Sequence, residues 1–123
     1  ILEFARKGDE DLALLAQFGW DRAVGLGVVD VKTDEVEPAD LIATRITRAL
    51  EVVPAERLIV NPDCGLRHLR PDVARAKLRA MVDGTAAVRG TLEPATAAPA
   101  RAATATPPSV ETDQGEMQHA PTG

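Results

Sequence analysis

The stretch of sequence that decides the fold is Ala23-Val24-Gly25-Leu26-Gly27-Val28-Val29-Asp30-Val31. Its valines and leucines follow one another almost without polar residues between them. This pattern is typical of a strand that is buried on both faces, as in a parallel sheet. A second run of this kind is Arg57-Leu58-Ile59-Val60-Asn61, and the chain opens on a third candidate, Ile1-Leu2-Glu3-Phe4-Ala5. The sequence therefore predicts three buried strands.

Helical patterns follow each of the three predicted strands. The first helix has Asp9 as its predicted N-cap and ends at Gly19. The second has Pro38 at its first helical position, and its apolar residues recur at helical spacing until Pro54. The third opens at Pro71, and the side chains predicted to face the core from it are Ala74, Leu78, Met81 and Val82. This alternation predicts an α/β fold with parallel strands and helical crossovers.

Composition excludes several classes of protein. A net charge of −5 and a pI of about 5.0 disfavour a nucleic-acid binder, which needs clustered Lys and Arg. No apolar run approaches the roughly 18 residues of a membrane span. The charged segment Arg6-Lys7-Gly8-Asp9-Glu10-Asp11 interrupts the first apolar stretch, so no signal peptide is predicted. A single cysteine excludes an intrachain disulfide framework and fits the reducing cytoplasm.

The chain divides into two parts of different composition. Residues 1–90 carry the strand and helix patterns, whereas residues 91–123 are rich in Ala, Thr and Pro and poor in large apolar side chains. We predict that the second part is a disordered tail, because it cannot bury enough apolar surface to offset its ordering entropy. The chain also lacks an initiator Met and starts within a strand pattern, which predicts a fragment of a longer protein.

Two predicted strand ends carry residues that can bind a metal ion. Cys64 follows the predicted strand Arg57–Asn61, in the turn Pro62-Asp63-Cys64-Gly65, and the C-terminal ends of parallel strands are where α/β folds build their sites. Its thiolate can bind a metal, or it can be a small, partly buried thiol without a role. Glu3 emerges from an apolar strand, either toward a partner or as an ordinary exposed glutamate.

The predicted strand that starts at Ala23 ends in Val29-Asp30-Val31-Lys32, where a period of two puts Asp30 and Lys32 on one face. Such a pair can orient a substrate or transfer a proton, or it can be a solvated ion pair worth less than about 1 kcal/mol. Glu35 and Glu37 in the following loop are interpreted as surface or capping residues. His68 lies at Cys-x3-His spacing from Cys64, but a basic loop is the preferred interpretation.

Two strings resemble the C-terminal end of the cobalamin-independent methionine synthase family. They are Arg57-Leu58-Ile59-Val60-Asn61-Pro62-Asp63-Cys64-Gly65-Leu66 and Val24-Gly25-Leu26-Gly27-Val28-Val29-Asp30-Val31-Lys32. The resemblance covers residues 1 to about 90. It implies that the chain supplies the last three units of a TIM-type (β/α)8 barrel. It also implies a zinc ion held by Cys64 and Glu3, which are 61 residues apart as in the family, and by a His and a Cys upstream of Ile1.

The chemistry implied by the resemblance is methyl transfer to homocysteine in methionine biosynthesis. Zinc binds the substrate thiol and lowers its pKa, and the thiolate attacks a methyl group carried by methylfolate or by a methylcorrinoid. Folate-dependent members have a His at the position of Lys32, and that His is the proposed proton donor to the folate nitrogen. A lysine side chain, with an unperturbed pKa near 10.4, is a poor match for that role unless it is desolvated. The lysine form resembles the shorter single-barrel relatives. The alternatives are epoxide addition to coenzyme M at the same kind of zinc site and an inactive truncated product.

Overall fold

The computed structural model describes residues 1–92, in which strands and helices alternate along the chain. The helices are α1 (Phe4–Lys7), α2 (Asp9–Phe18), α3 (Ala39–Leu50) and α4 (Pro71–Leu92). The strands are β1 (Val24–Val29) and β2 (Leu58–Pro62), with a 3-10 turn over Ala55–Arg57 before β2. The predicted tail begins at Thr91, but α4 includes Thr91 and Leu92, and the rest of that prediction lies outside the described residues.

The centre of the fold is the parallel pair of β1 and β2, as the sequence predicts. Val24 lies opposite Leu58, and Gly27 lies opposite Asn61. Five of the six residues of β1 are buried, which is expected for a strand that is covered on both faces. The near-continuous apolar run therefore correctly predicts the burial of β1, but the same prediction is wrong for β2, in which no residue is fully buried and Ile59 is 57% exposed.

The first predicted strand, Ile1–Ala5, is wrong in its extent, because only Leu2 pairs with the sheet. The N–H of Leu2 donates to the carbonyl oxygen of Gly25 at 2.7 Å, and its own carbonyl accepts the N–H of Gly27 at 2.8 Å. The chain then coils into α1, which buries the ring of Phe4 in the core. Burial of this ring overrides the local strand pattern, since strand propensity depends on context.

Both ends of α2 and the start of α3 lie within one residue of their predicted positions, but α3 ends at Leu50 and not, as predicted, at Pro54. Gly8 is the N-cap of α2 and Asp9 is its first residue, while Gly19 ends the helix with a φ of 58°. Glycine adopts that left-handed conformation without a steric penalty. Helix α3 begins at Ala39, so Pro38 is its N-cap rather than its first helical residue.

The inward face of α4 differs from the predicted one, since Val82 is 61% exposed. The buried residues of this helix are Val73, Lys77, Gly84 and Val88. Gly84 gives the reason: a Cβ there would lie 2.7 Å from the carbonyl oxygen of Ala39 and 2.9 Å from the Cβ of Ile42. The two helices therefore approach each other at this glycine, and that contact sets the rotation of α4. Met81 does pack against the core as predicted.

The hydrophobic core lies between β1 and the surrounding helices. It is formed by Phe4, Leu12, Leu26, Val28, Val29, Ile42, Ile46, Ala49 and Val88. Every helix contributes at least one side chain to this cluster. Both the α1–α2 segment and the two long helices are therefore held against the central strand by apolar burial.

The longest helix, α4, has 22 residues, but its sequence carries several charged side chains. Within residues 1–92, no helix has both the length and the apolar character that crossing a bilayer requires.

Candidate functional site at the strand ends

The predicted site residues follow three neighbouring segments of the sheet. Glu3 comes directly after the bridge at Leu2, Asp30 directly after β1, and Cys64 two residues after β2. The three segments are parallel, so these positions lie at the same edge of the sheet. The structure therefore places the sequence-predicted residues at one edge.

Glu3 is paired with Lys32 rather than free. The Nζ atom of Lys32 lies 3.4 Å from Oε2 of Glu3, and the two side chains are 52% and 38% exposed. Such an open ion pair stabilises the fold by less than about 1 kcal/mol, because water screens it. Its relevance is positional, since it aims a cation at a predicted metal ligand.

The predicted pairing of Asp30 with Lys32 on a strand face is not observed. Strand β1 ends at Val29, and Oδ1 of Asp30 accepts the backbone N–H of Lys32 at 2.8 Å. A carboxylate that bonds the backbone two residues on forms a turn, which competes with strand extension. The turn directs the Lys32 side chain toward Glu3.

Cys64 is an exposed free thiol in the turn that follows β2. The turn is held to the neighbouring strand by its preceding residue, because the N–H of Asp63 donates to the carbonyl oxygen of Val29 at 2.9 Å. The cysteine therefore stands at the edge of the sheet with its sulfur open to solvent. The alternative interpretation of a partly buried thiol does not describe this residue.

Asp63 connects the Cys64 turn to the Glu3 segment. Its Oδ1 accepts the N–H of Ala5 at 3.3 Å, while its buried Oδ2 has no hydrogen-bond partner. Burial raises the pKa of Asp63 to about 6; the N–H of Ala5 opposes this rise, and the nearby charges of Asp30 and Glu3 add to it. Asp63, which directly precedes the predicted metal ligand Cys64, thus accepts a hydrogen bond from Ala5, which lies two residues after the predicted metal ligand Glu3.

Gly27 makes room for this connection. A Cβ at Gly27 would lie 2.6 Å from the carbonyl oxygen of Leu2 and 2.7 Å from the Cα of Asp63. Both distances are shorter than side chains tolerate without movement of the backbone. A glycine at this position of β1 is therefore required for the Leu2 segment and the Asp63 turn to approach the strand together.

Glu37 is buried, so its interpretation as a surface or capping residue is wrong. It is 8% exposed, and its Oε1 accepts the N–H of Asp30 at 2.7 Å. Its Oε2 lies 3.0 Å from Nζ of Lys77, and Oε1 lies 3.4 Å from Nη1 of Arg45. These donors explain the burial, because a carboxylate is tolerated inside a protein when its charge is paired and hydrogen-bonded.

We call Glu37, Arg45 and Lys77 the Glu37 cluster. Lys77 is fully buried and also donates to the carbonyl oxygen of Glu35. Arg45 also donates to the carbonyl oxygens of Val28 and Ala5, at 2.7 and 3.2 Å. Burial alone raises the pKa of Glu37, but the hydrogen bonds from Asp30 and Lys77 outweigh it, so that the pKa is lowered.

His68 is exposed, and its Nε2 accepts a long hydrogen bond of 3.4 Å from Nε of Arg67. Across residues 1–92, the structure contains no group of three or more His, Cys, Asp or Glu side chains arranged to hold a metal ion. Glu3 and Cys64 are therefore at most part of a metal site within this portion of the chain.

Sequence reasoning missed Asp63, Gly27 and the Glu37 cluster. One signal was available for Lys77, which lies four residues after Val73 and seven before Gly84 on the buried stripe of α4. A charged residue on such a stripe indicates a buried partner. Glu37 gave no comparable signal, because a glutamate before Pro38 looks like any loop residue.

Comparison with known proteins gives one consistent family. Residues 1–87 match the family described as cobalamin-independent synthase, catalytic domain. The chain is 44% identical over 82 residues to a methionine synthase of Saccharolobus solfataricus, which covers 67% of this chain and 25% of that protein. It is 43% identical over 91 residues to a 5-methyltetrahydropteroyltriglutamate–homocysteine methyltransferase of Rhodococcus jostii, which covers 74% of this chain and 12% of that protein.

The same similarity appears among solved structures. The chain resembles a B12-independent methionine synthase from Shewanella sp. W3-18-1, determined in complex with selenomethionine. The TM-score is 0.62 at 34% sequence identity, over 66% of this chain and 24% of that one. The chain thus spans a quarter or less of the length of the relatives that it matches.

Proposed function

This chain belongs to the family of cobalamin-independent synthase catalytic domains, and on that premise we propose that the protein is a zinc-dependent homocysteine S-methyltransferase of methionine biosynthesis. The observation that carries the proposal is that Glu3 and the Cys64 turn meet at one edge of the sheet, joined by the bond from Ala5 to Asp63. The names of the relatives, methionine synthase and homocysteine methyltransferase, support the reaction class.

In this proposal the chain supplies the last three units of a (β/α)8 barrel. The Leu2 segment, β1 and β2 lie side by side in chain order and parallel, and helices follow each of them. Barrels of this kind carry their active sites at the C-terminal ends of the strands. Glu3, Asp30 and Cys64 are at those ends, so the placement and the function support each other.

Glu3 and Cys64 suit zinc in the chemistry of their donor atoms, a carboxylate oxygen and a thiol sulfur. Residues 1–92 provide no group of three donors, and zinc normally takes at least three protein ligands. The proposal therefore requires further ligands from the rest of the complete protein. Bound zinc supplies the acidity that keeps a substrate thiol deprotonated near neutral pH. A free Cys64 thiol favours the reducing cytoplasm as the location.

Asp30 and Lys32 have positioning roles in this proposal. Oδ1 of Asp30 accepts the backbone N–H of Lys32, and Nζ of Lys32 contacts Oε2 of Glu3. The ammonium group thereby orients the Glu3 carboxylate and offsets part of the negative charge that Glu3 and the nearby Asp30 and Asp63 carboxylates bring to this edge.

Lys32 also bears on the methyl donor. Either methylfolate or a methylcorrinoid is the proposed methyl donor. Folate alone is not assigned, because Lys32 stands where folate-dependent members have a histidine. The same lysine favours one second candidate, the addition of an epoxide to coenzyme M. All three candidate reactions use a thiol nucleophile held at the edge of the sheet where Glu3 and Cys64 lie.

Metal analysis and a methionine assay of the complete protein test the proposal. The purified protein is expected to contain stoichiometric zinc and to form methionine from homocysteine with methyltetrahydrofolate or methylcobalamin. Cys64→Ser and Glu3→Gln are each expected to lose zinc and turnover, since each removes a ligand. His68→Gln, an exposed change in the same loop, is the matched control and is expected to retain both.

Three outcomes separate the readings. Zinc retained in both ligand variants contradicts the assignment of Glu3 and Cys64. Zinc-dependent consumption of coenzyme M and an epoxide, without methionine formation, supports the second candidate. A protein with neither metal nor any of these activities is the inactive product and overturns the proposal.

A further inference from the structure

The geometry points to Glu37 as a positioning residue: its carboxylate, held by Lys77 and Arg45, fixes the loop after β1 so that Asp30 can hold the turn from which Lys32 reaches Glu3. This inference rests on the proposed function for the roles of Asp30 and Lys32. Glu37 itself lies beneath the strand-end site and touches none of the proposed metal ligands in the described contacts.

The contacts of Glu37 close the loop over residues 30–37 at both ends. The Oε1 atom accepts the N–H of Asp30, where the loop begins. Lys77 donates to Oε2 of Glu37 and to the carbonyl oxygen of Glu35, where the loop ends. One buried carboxylate and one buried ammonium therefore determine where the loop leaves β1 and where it enters α3.

The bond to Asp30 matters because the rest of the chain of contacts depends on it. The backbone of Asp30 is fixed by Glu37, its Oδ1 fixes the N–H of Lys32, and Nζ of Lys32 reaches Glu3. Each link is a single hydrogen bond or ion pair. Removing the first link frees the turn that directs Lys32, although no atom of the turn itself is changed.

Arg45 extends the same arrangement to the Glu3 segment. Its Nη1 contacts Glu37 and the carbonyl oxygen of Val28, and its Nη2 donates to the carbonyl oxygen of Ala5. Ala5 lies two residues after Glu3. The Glu37 cluster therefore contacts both segments whose side chains meet at the Lys32–Glu3 pair.

Stability alone does not account for these charges. A buried ion pair can often be replaced by apolar residues of similar volume without loss of stability, because desolvation offsets much of the attraction. An apolar pair at positions 37 and 77 would leave the N–H of Asp30 without an acceptor. An apolar side chain cannot accept the N–H of Asp30, so the proposed role of Glu37 rests on its carboxylate as a hydrogen-bond acceptor.

Two double variants of the complete protein isolate that acceptor. Glu37→Gln/Lys77→Met removes both charges but keeps an amide oxygen that can accept the N–H of Asp30. Glu37→Leu/Lys77→Met removes both charges and the acceptor. The readouts are hydrogen exchange at the amides of Asp30 and Lys32, zinc content, and kcat and KM for the thiol substrate.

The Gln/Met variant is expected to keep amide protection and kcat close to those of the wild type. In the Leu/Met variant, exchange at the Asp30 amide is expected to accelerate at least about tenfold, the effect of losing a hydrogen bond to a charged acceptor. A fall in kcat of about tenfold or more is expected with it, at unchanged zinc content, because small misplacements of site groups are costly. Val88→Ala, on the same helix but away from the loop, is the control: it is expected to lower the unfolding midpoint and to leave kcat, zinc content and the protection of the Asp30 amide relative to β1 unchanged.

Equal protection and equal kcat in the two double variants overturn the inference. If the Leu/Met variant does not fold, hydrogen exchange in the wild type tests the inference instead. The Asp30 amide is expected to exchange as slowly as the amides of β1. Fast exchange of the Asp30 amide overturns the inference. Absence of zinc and methionine formation in the wild type contradicts the proposed function instead, and the exchange comparison then decides this inference alone.

Discussion

Two buried carboxylates in this chain differ in their partners and in their pKa. Glu37 is 8% exposed and Asp63 is 6% exposed. Glu37 receives the N–H of Asp30 and contacts two cationic side chains, and its pKa is lowered. Asp63 receives one N–H, leaves Oδ2 without a partner, and has a pKa raised to about 6.

The difference shows that partners rather than burial decide the state of a buried acid. Desolvation raises the pKa of both groups, and only Glu37 has enough donors to reverse the effect. The better-satisfied acid lies under the site, whereas the poorly satisfied one lies next to Cys64. The carboxylate of Glu37, beneath the site, thus has its charge matched by donors. The carboxylate of Asp63, at the edge where the proposed metal ligands stand, does not.

The strongest test of this comparison is Lys77→Met, which removes a fully buried cation from Glu37. We expect a loss of about 3–5 kcal/mol in the free energy of unfolding, because one partner of a buried ion pair is left without compensation. Urea denaturation of the complete protein measures it. Arg79→Met, an exposed change on the same helix, is the control and is expected to stay within about 0.5 kcal/mol of the wild type. An equally small effect of Lys77→Met would mean that Arg45 alone satisfies Glu37.

Gly27→Ala tests the packing beneath Asp63. The added methyl group has no space against the carbonyl oxygen of Leu2 and the Cα of Asp63, so we expect a destabilisation of about 1–3 kcal/mol. Thermal unfolding measures it. Gly90→Ala is the matched control in the opposite direction, since nothing lies within 4 Å of a Cβ there and alanine favours a helix by up to about 1 kcal/mol over glycine. Destabilisation at Gly90 and none at Gly27 would contradict the described packing.

The pH dependence of stability should have opposite signs for the two acids. Because the pKa of Asp63 is raised from 3.8 to about 6, its contribution is fully present below pH 3.8 and is lost as the pH rises through 6. The pKa of Glu37 is lowered from 4.5, so its contribution is present above that pH and is lost as the pH falls through the lowered value.

Asp63→Asn should therefore flatten the decline between pH 3.8 and about 6 and stabilise the protein at pH 7 by on the order of 1–3 kcal/mol. Urea titrations in the presence of a chelator measure this without a contribution from bound metal at the neighbouring Cys64. Asp72→Asn, an exposed carboxylate, is the control and should leave the slope unchanged. Equal slopes for the wild type and Asp63→Asn over this range contradict the raised pKa.

The smallest effect is expected for the exposed pair. Lys32→Met removes the contact with Glu3, and we expect a change in the free energy of unfolding of less than about 1 kcal/mol, because both side chains are largely solvated. Lys7→Met provides an exposed control on α1. A loss comparable to that of Lys77→Met would show that the strand-end edge contributes to stability as strongly as the buried cluster does.

Local patterns predicted the central part of the fold because burial on both faces leaves a clear trace in β1. They failed at the first strand, because Leu2 pairs while Phe4 turns into the core, and an apolar pentapeptide does not distinguish these states. They also missed the rotation of α4, which depends on the approach of Gly84 to α3. That approach is a property of two elements together and not of either sequence alone.

The sequence predicted individual residues of the candidate site but not the contacts that hold them in place. Cys64 and Glu3 stand at strand ends, and the resemblance added their spacing. The residues that hold them in place were not predictable, because Asp63 and Ala5 lie 58 residues apart and Glu37 and Lys77 lie 40 apart. Contacts at such separations follow from the topology of the sheet rather than from sequence periodicity.

Arg45 has a consequence for the order of folding. Its guanidinium group bonds Ala5, 40 residues away, and Val28, 17 residues away. Contacts between distant segments close large loops and generally form late. We therefore expect Arg45 to bond Val28, which brings α3 onto β1, before it bonds Ala5. A chain stalled between these two steps would have α3 seated on β1 while the segment that carries Glu3 is not yet fixed by Arg45.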